Sequence, residues 1–218
     1  MIKIPEINLH LGDCMDLMRE KPDGFYDLAV VDPDFGLNEK ISTGGSWAKK
    51  YKKGDGDLGG KPTDEYFDQL FRVAKNQIIW GGNYFGLPAT RCVIAWDKVA
   101  HMDTMADFEM AWTSFDLNAK IFKHVRNTSE KRIHICQKPV ALYKWLLSNY
   151  AKPGDRILDT HGGSGSSMIA CYDLGFDMDW IELDPDYFKS AKERFERHKA
   201  QGQLFHIAET LPEQQKLF

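Results

Sequence analysis

The stretch Arg156-Ile-Leu-Asp-Thr-His-Gly-Gly-Ser-Gly165 indicates the fold class of this chain. An apolar run typical of a buried strand leads into a glycine-rich turn, and the apolar residues 166–174 predict a helix directly after it. A second strand is predicted over 178–182 and ends in Glu182. Such a turn lets a ligand approach backbone N–H groups, and an acidic residue at the next strand end can accept both ribose hydroxyls. The unit therefore predicts a nucleoside cofactor on an α/β fold.

The remainder of the chain alternates in the same way between short apolar runs and amphipathic stretches, which is typical of α/β proteins. Further strands are predicted over 27–31, 77–80, 92–96 and 108–112, and further helices over 14–19, 63–73, 140–150 and 186–200. We expect a single domain over 1–200 and a polar C-terminal tail over 201–218. Residues 36–61 and 97–132 lack a clear apolar period and are candidate insertions.

Composition narrows the class of protein further. The chain has 218 residues, 43% of them hydrophobic and 28% charged, with a net charge of -4, which suits one globular domain. It contains no apolar run of the ~20 residues that span a bilayer, so we expect a soluble, cytoplasmic protein without membrane contact. The four cysteines form no Cys-x-x-Cys pair. Reduced, buried thiols are therefore expected rather than disulfides or a metal site.

A second motif, Asp32-Pro33-Asp34-Phe35, follows the predicted buried strand over 27–31. Alone it is weak, because Asp-Pro often begins a turn. Next to a sulfonium cofactor, this motif suits methylation of the exocyclic amine of a base. Such an amine is a poor nucleophile because its lone pair is delocalised into the ring. The Asp32 carboxylate and the Pro33 carbonyl can accept its two N–H groups, while Phe35 can stack on an extruded base.

These motifs, in this order, resemble the β-class amino-methylating DNA methyltransferases over most of the chain. Residues 32–35 match the catalytic Asp-Pro-Pro-Tyr, 134–139 resemble His-Pro-x-Gln-Lys-Pro, and 158–167 match Leu-Asp-Pro-Phe-x-Gly-Ser-Gly-Thr-Thr. The resemblance implies a Rossmann-like methyltransferase fold: a mostly parallel seven-stranded sheet with one antiparallel edge strand and helices on both faces. It also implies S-adenosyl-L-methionine as cofactor and a small orphan enzyme of phage or prophage type.

The same resemblance supplies the candidate site residues. Those expected to act in catalysis are Asp32, Pro33, Asp34 and Phe35. Those expected to bind the cofactor are Asp13, Cys14, Asp32, Gln137, Lys138, Asp159, Thr160, Gly163, Ser164, Gly165, Ser166, Glu182 and Leu183.

Two residues depart from the catalytic pattern of the family. Phe35 stands where Tyr is commoner but keeps a stacking face. Asp34 stands where Pro stiffens the loop, and it adds a second carboxylate that can raise the pKa of Asp32. The alternative is that the Asp34 side chain points to solvent and costs little. Asp rather than Ser at position 32 favours adenine N6 by family analogy.

Other functions remain open at this stage. The chain could methylate cytosine N4, RNA or protein, or it could be an inactive module that binds cofactor or DNA because of Asp34. A Rossmann dehydrogenase is disfavoured, because the glycine spacing is not Gly-x-Gly-x-x-Gly.

Contact with double-stranded DNA requires positive charge, which the sequence concentrates in two windows. Residues 40–61 and 119–138 carry +4 and +5, which leaves -13 on the rest of the chain. The candidate DNA contacts are Lys49, Lys50, Lys52, Lys53, Arg126, Lys131 and Arg132. No room remains for a large recognition domain, so a short or relaxed target site, or help from a partner, is expected. The terminal residues Gln214 to Phe218 resemble the short peptide that bacterial proteins insert into the sliding clamp.

Overall fold

A computed structural model describes residues 4–36, 60–99, 106–125, 133–134 and 136–210, with side chains up to residue 201. The strands are β1 Ile7–Leu11, β2 Tyr26–Val31, β3 Ala74–Trp80, β4 Val93–Asp97, β5 Phe108–Thr113, β6 Lys120–Lys123, β7 Arg156–Asp159 and β8 Asp177–Glu182. The helices are α1 Cys14–Glu20, α2 Asp64–Val73, α3 Val140–Tyr150, α4 Ser166–Leu174 and α5 Pro185–Thr210, and a 3₁₀ turn spans Gly82–Tyr84.

The described strands form one sheet in the order β1-β8-β7-β2-β3-β5-β4-β6. Among them only β5 runs antiparallel to its neighbours, β3 and β4, and the other pairs are parallel. The predicted α/β class and mostly parallel sheet are confirmed.

Two details of the sheet differ from the expectation. It has eight strands in the described part rather than seven, and its antiparallel strand is internal rather than at the edge. The eighth strand is β6, which pairs with the outer side of β4, and β5 is internal because it pairs with β3 on one side and with β4 on the other. β6 and β1 escaped prediction because each is mostly half-buried or exposed, so neither shows the apolar run of a central strand.

Helices cover both faces of the sheet, as expected. On one face, α3, α4 and α5 pack Leu146, Met168 and Phe195 against alternate sheet residues such as Val30. On the other face, α1 and α2 pack Met18 and Leu70 against the intervening residues. Since both faces are buried, β2 is apolar through its inner positions, which explains why it was predictable from sequence.

Some local expectations need correction. Helix α5 continues past Ala200 to Thr210, so the last helix is longer than predicted. Residues 211–218 lie outside the described part, and the division into a domain and a tail remains a prediction. All four cysteines are free, but only Cys92 and Cys171 are buried. Cys14 is half-buried and Cys136 is exposed, so the expectation of buried thiols is wrong for Cys136.

Two kinds of feature are absent from the described residues. None of the helices there is long and apolar enough to cross a membrane. No group of three or more His, Cys, Asp or Glu residues there could hold a metal ion.

Candidate active site

The carboxyl ends of four parallel strands bring the predicted motifs to one edge of the sheet. β2 leads into Asp32, β7 into Thr160, β8 into Leu183 and β1 into Gly12. Two backbone hydrogen bonds join these loops. The N–H of Gly12 donates to the carbonyl of Glu182 at 3.0 Å, and a second bond of 2.8 Å runs from the Gly162 N–H to the Ile181 carbonyl. This is the edge at which open α/β sheets bind ligands.

The glycine-rich turn requires glycine at specific positions. Gly163 and Gly165 adopt positive φ angles of 52° and 73°. A Cβ on Gly162 would lie 1.9 Å from the indole of Trp180, which is fully buried. The turn therefore lies directly on the Trp180 ring, where Gly162 has no space for a side chain.

Glu182 is fixed by backbone donors on both of its carboxylate oxygens. Oε2 accepts the N–H of Gly163 at 2.7 Å, and Oε1 accepts that of Asp184 at 2.8 Å. Burial raises the pKa of Glu182, and these backbone hydrogen bonds oppose the rise. Each oxygen keeps a further lone pair, so the carboxylate can still accept the hydroxyls of a ribose.

Asp159 and Thr160 point into the protein and support the turn. Asp159 accepts the hydroxyl of Ser167 at 2.5 Å and the N–H of His161 at 3.1 Å. Burial, aided by the charges of Asp32 and Glu182, raises the pKa of Asp159 to about 7. The hydroxyl of Thr160 lies 2.7 Å from that of Tyr66. Direct cofactor contact by Asp159 and Thr160 remains a prediction.

The other predicted cofactor residues lie around this turn in different surroundings. Ser164 and Ser166 are buried, and their hydroxyl oxygens lie 3.1 Å apart. Leu183 is 54% exposed. Asp13 caps α1, because its carboxylate accepts the N–H of Met15 at 2.8 Å.

The segment before α3 folds over the turn. Gln137 accepts the N–H of Ile133 at 3.1 Å and so closes this loop on itself. The His134 ring lies 4.4 Å from that of Tyr187, and a Cβ on Gly163 would be 3.6 Å from it. Burial lowers the pKa of His134 to about 4, so the ring is neutral at physiological pH. The sequence motif over 134–139 includes His134, but the position of its ring against the turn was not predicted.

Asp32 has one occupied and one unoccupied carboxylate oxygen. Oδ2 pairs with the ammonium of Lys138. Oδ1 is buried and has no hydrogen-bond partner within the part of the chain that the structure describes. Burial raises the pKa of Asp32, and Lys138 opposes this rise. A buried, unsatisfied acceptor costs about 1–3 kcal/mol, so Oδ1 is suited to a donor that a ligand brings.

Lys138 also contacts a carboxylate that the sequence motifs did not identify. Its ammonium lies 3.2 Å from Glu109 Oε2, and the ammonium of Lys98 lies 3.0 Å from Glu109 Oε1. Glu109 and Lys98 come from the β4–β5 hairpin. The sequence feature that could have drawn attention to Glu109 is that it is an acidic residue within the predicted strand over 108–112.

Phe35 packs against a glycine and stacks with a tyrosine. A Cβ on Gly81 would lie 2.1 Å from the Phe35 ring, so the ring packs on that glycine. The Tyr84 ring stacks on Phe35 with centroids 5.0 Å apart and planes 18° apart. Gly81 and Tyr84 follow β3 and were not predicted as site residues.

Asp34 is engaged with its own loop. Its Oδ1 accepts the N–H of Gly36 at 2.8 Å. Asp34 raises the pKa of Asp32, but burial, Lys138 and Glu109 all act more strongly on it. This arrangement favours the alternative in which Asp34 costs little.

Several expectations lie outside the described residues. They are the candidate DNA contacts Lys49, Lys50, Lys52, Lys53, Arg126, Lys131 and Arg132, and the terminal segment 214–218.

A cavity of about 350 Å³ lined in part by Phe71 and Trp112 contains none of the predicted site residues.

The site and fold agree with one protein family. The family model described as DNA methylase matches residues 27–193, which is more than half of the chain. The chain therefore belongs to this DNA methylase family, as the sequence motifs indicate, and S-adenosylmethionine is the methyl donor of the family.

Two curated relatives differ in how much of each protein the match covers. Type II methyltransferase M.HpaI of Haemophilus parainfluenzae is 34% identical over 76 residues, which are 34% of this chain but only 24% of M.HpaI. YubD of Escherichia coli (strain K12), named as a candidate methylase, is 22% identical over 209 residues, covering 84% of this chain and 87% of YubD. The chain thus spans about a quarter of the first relative and most of the second.

Solved structures show the same fold. The PvuII DNA methyltransferase, described as cytosine-N4-specific, has a TM-score of 0.61 at 13% identity, with 87% of this chain and 86% of that one covered. The M1.HpyAVI complex with SAM has a TM-score of 0.55 at 19% identity over 86% of this chain and 98% of its own. TTHA0409 of Thermus thermophilus, bound to S-adenosyl-L-methionine, has a TM-score of 0.52 at 19% identity over 88% and 95%.

Proposed function

We propose that this protein transfers the methyl group of S-adenosyl-L-methionine to the N6 amine of adenine in double-stranded DNA, with the target base flipped out of the helix. The observation that carries the proposal is Asp32 Oδ1, a buried acceptor without a partner in the described residues, beside Phe35 and the glycine-rich turn. This acceptor suits an amino group brought by a flipped base.

The role of the protein in this reaction is to prepare a poor nucleophile. Asp32 accepts one N–H of the base amine, and the Pro33 carbonyl accepts the second. These bonds favour a pyramidal nitrogen with an available lone pair. Phe35 stacks on the base, a contact that contributes ~1–3 kcal/mol. The new carbon–nitrogen bond would form as the methyl–sulfur bond of the sulfonium breaks, which would leave a neutral thioether. The nitrogen then releases one proton to solvent, so the product amine is neutral.

The residues around the glycine-rich turn suit the cofactor. Glu182 would accept the ribose hydroxyls, and the Gly163 backbone, with φ of 52°, leaves space for close approach. The bound cofactor supplies an electrophilic methyl group. Asp13, Cys14, Gln137, Lys138, Asp159, Thr160, Ser164, Gly165, Ser166 and Leu183 complete the proposed cofactor site.

The choice of adenine rests on Asp32, where the resemblance associates Asp with N6 and Ser with N4. Cytosine N4 is the second candidate, because the PvuII enzyme of similar fold is cytosine-N4-specific. We further propose that the basic windows over 40–61 and 119–138 hold DNA phosphates, and that residues 214–218 bind a sliding clamp.

One assay tests the reaction and the base together. Purified protein is incubated with tritiated cofactor and mixed-sequence duplex DNA, and the DNA is digested to nucleosides. We expect label in N6-methyladenine. Label in N4-methylcytosine would replace the base assignment, and label only in RNA or protein would refute the DNA substrate. Loss of clamp binding on deleting Leu217 and Phe218 tests the tail, and an intact protein that binds no clamp ends that idea.

The proposal of an inactive module has its own test. Because Asp34 is tied to Gly36 and acts weakly on Asp32, we expect the wild-type protein to be active and Asp34→Pro to change its rate little. A wild type without turnover that gains it through Asp34→Pro would support the inactive module instead.

A further inference from the structure

The carboxylate of Asp32 stands at one end of a row of alternating charges. Lys138 lies between Asp32 and Glu109, and Glu109 lies between Lys138 and Lys98. Each oxygen of Glu109 holds a different ammonium, at 3.2 Å for Lys138 and 3.0 Å for Lys98. The row crosses from the loop after β2 to the β4–β5 hairpin.

Most of this row is withdrawn from water. The side chains of Lys138 and Lys98 are 2% and 8% exposed, that of Asp32 is 16% exposed and that of Glu109 is 30% exposed. Lys138 also lies 5.0 Å from the centre of the Trp80 ring. Buried ion pairs contribute little net stability, because desolvation offsets their attraction. Three largely buried charges and one half-buried carboxylate beside the reacting centre therefore need a reason other than folding.

The row determines which oxygen of Asp32 is available. Lys138 occupies Oδ2, and Oδ1 has no partner among the described residues. The position of Lys138 depends in turn on Glu109, whose other oxygen is held by Lys98. A substitution at Glu109 would thus affect the hydrogen bonding of Asp32, although it does not alter Asp32 itself.

We propose that Glu109, held by Lys98, is a positioning residue for methyl transfer: it fixes Lys138 on Asp32 Oδ2 and so leaves Oδ1 as the acceptor for the substrate amine. This inference rests on the function proposed above. It gives β5, the single antiparallel strand of the described sheet, a part in the reaction.

The charge of Glu109 affects the pKa of Asp32 in a definite direction. Burial raises the pKa of Asp32, Lys138 lowers it, and Glu109 raises it again. The other ionisable groups that act on this carboxylate are Asp34 in its own loop, Asp159 of β7 and Tyr143 of α3. Since an ionised Asp32 accepts a hydrogen bond from the amine better than a protonated one, the acidic limb of the rate profile reports its pKa.

The test compares pH profiles of kcat/KM in the full-length protein. Glu109→Gln removes the charge but keeps an acceptor for Lys138, so the acidic limb should move to lower pH by roughly one unit. Lys138→Gln should move it to higher pH by a similar amount. Lys75→Gln is the matched control, because it breaks a 2.7 Å ion pair with Asp27 at the other end of the same sheet.

A second comparison separates positioning from charge. Glu109→Ala also removes the acceptor for Lys138, so its plateau kcat should fall about tenfold. Glu109→Gln should keep most of the plateau kcat. Equal losses in the two variants, or limbs that coincide with that of the wild type, would overturn the proposal. If Lys138→Gln does not fold, the two Glu109 variants decide.

Failure of the proposed function can be told apart from failure of this inference. A wild type that methylates no DNA refutes the function. The pKa of Asp32 is then measured without substrate, by ¹³C NMR of carboxyl-labelled aspartate with Asp32→Asn for assignment. A lower pKa in Glu109→Gln than in the wild type supports the inference, and an unchanged pKa overturns it.

Discussion

Gly81 is the position at which the smallest substitution should do the most damage to the proposed base pocket. It has a φ of 67°, and a Cβ there would lie 2.1 Å from Cε1 of Phe35. Carbon atoms pack at about 3.5–4.0 Å, so Gly81→Ala requires the ring to move by more than about 1 Å. The direction of movement is restricted, because Tyr84 stacks on the same ring.

The expected loss of stability in Gly81→Ala is the sum of two free-energy costs. Alanine in the left-handed region costs roughly 1–2 kcal/mol, and displacement of a packed ring costs about 1–3 kcal/mol. We therefore expect Gly81→Ala to lower the free energy of unfolding by about 2–5 kcal/mol and Tm by roughly 4–20 °C. A misplaced Phe35 forfeits base stacking of ~1–3 kcal/mol, which corresponds to a loss of about 5- to 150-fold in kcat/KM.

The assay measures Tm, cofactor affinity and methyl transfer to duplex DNA for Gly81→Ala and for Gly86→Ala. Gly86 is an exposed glycine in the same loop with nothing within 4 Å of its Cβ position, so its variant should behave as the wild type. Cofactor affinity should be retained in both. If the two variants have the same Tm and kcat/KM, Phe35 does not depend on Gly81 and the reasoning fails.

Three further predictions use the same assays. Gly162→Ala should lower the free energy of unfolding by about 1–3 kcal/mol, because its Cβ would overlap Trp180; a Tm equal to that of Gly86→Ala would contradict this. Tyr84→Ala should reduce kcat/KM severalfold while Tyr84→Phe keeps it, since the ring face and not the hydroxyl stacks on Phe35; equal losses would argue against stacking. Burial lowers the pKa of His161 to about 4, so its neutral form is favoured in the folded protein, and stability is lost as pH falls from about 6.5 towards 4. His161→Phe should therefore show a shallower fall of Tm over that range, and parallel curves would contradict it.

The sequence allowed the fold class and the strand, glycine-rich turn and helix around 156–174 to be predicted. The signals were local there: the buried strand β2 has a continuous apolar core, and the turn at Gly162–Gly165 is set by glycine positions that side chains cannot occupy. Edge strands β1 and β6 carry weaker signals, because one side of each strand faces solvent or has no neighbour. The length of α5 was underestimated because Gln201, Gly202 and Gln203 interrupt its apolar period.

The environment of Asp32 could not be predicted in the same way. Asp32 and Lys138 are 106 positions apart in sequence, and Glu109 and Lys98 reach them only because β5 inserts antiparallel between β3 and β4. Charged residues on a strand carry no sign of the partner that they will meet. The stacking of Tyr84 on Phe35 likewise depends on β2 and β3 being neighbours.

The sequence by itself therefore determined the chemistry that is available: an acceptor loop after one strand and a glycine-rich turn after another, on a mostly parallel sheet. Only the tertiary structure decided how that chemistry is arranged. It pairs one oxygen of Asp32 with Lys138, leaves the other without a partner among the described residues, and ties Asp34 to its own loop. The physical reason is that hydrogen-bonding patterns within a turn are encoded by adjacent residues, whereas burial and charge pairing arise from strands that meet only in the folded sheet.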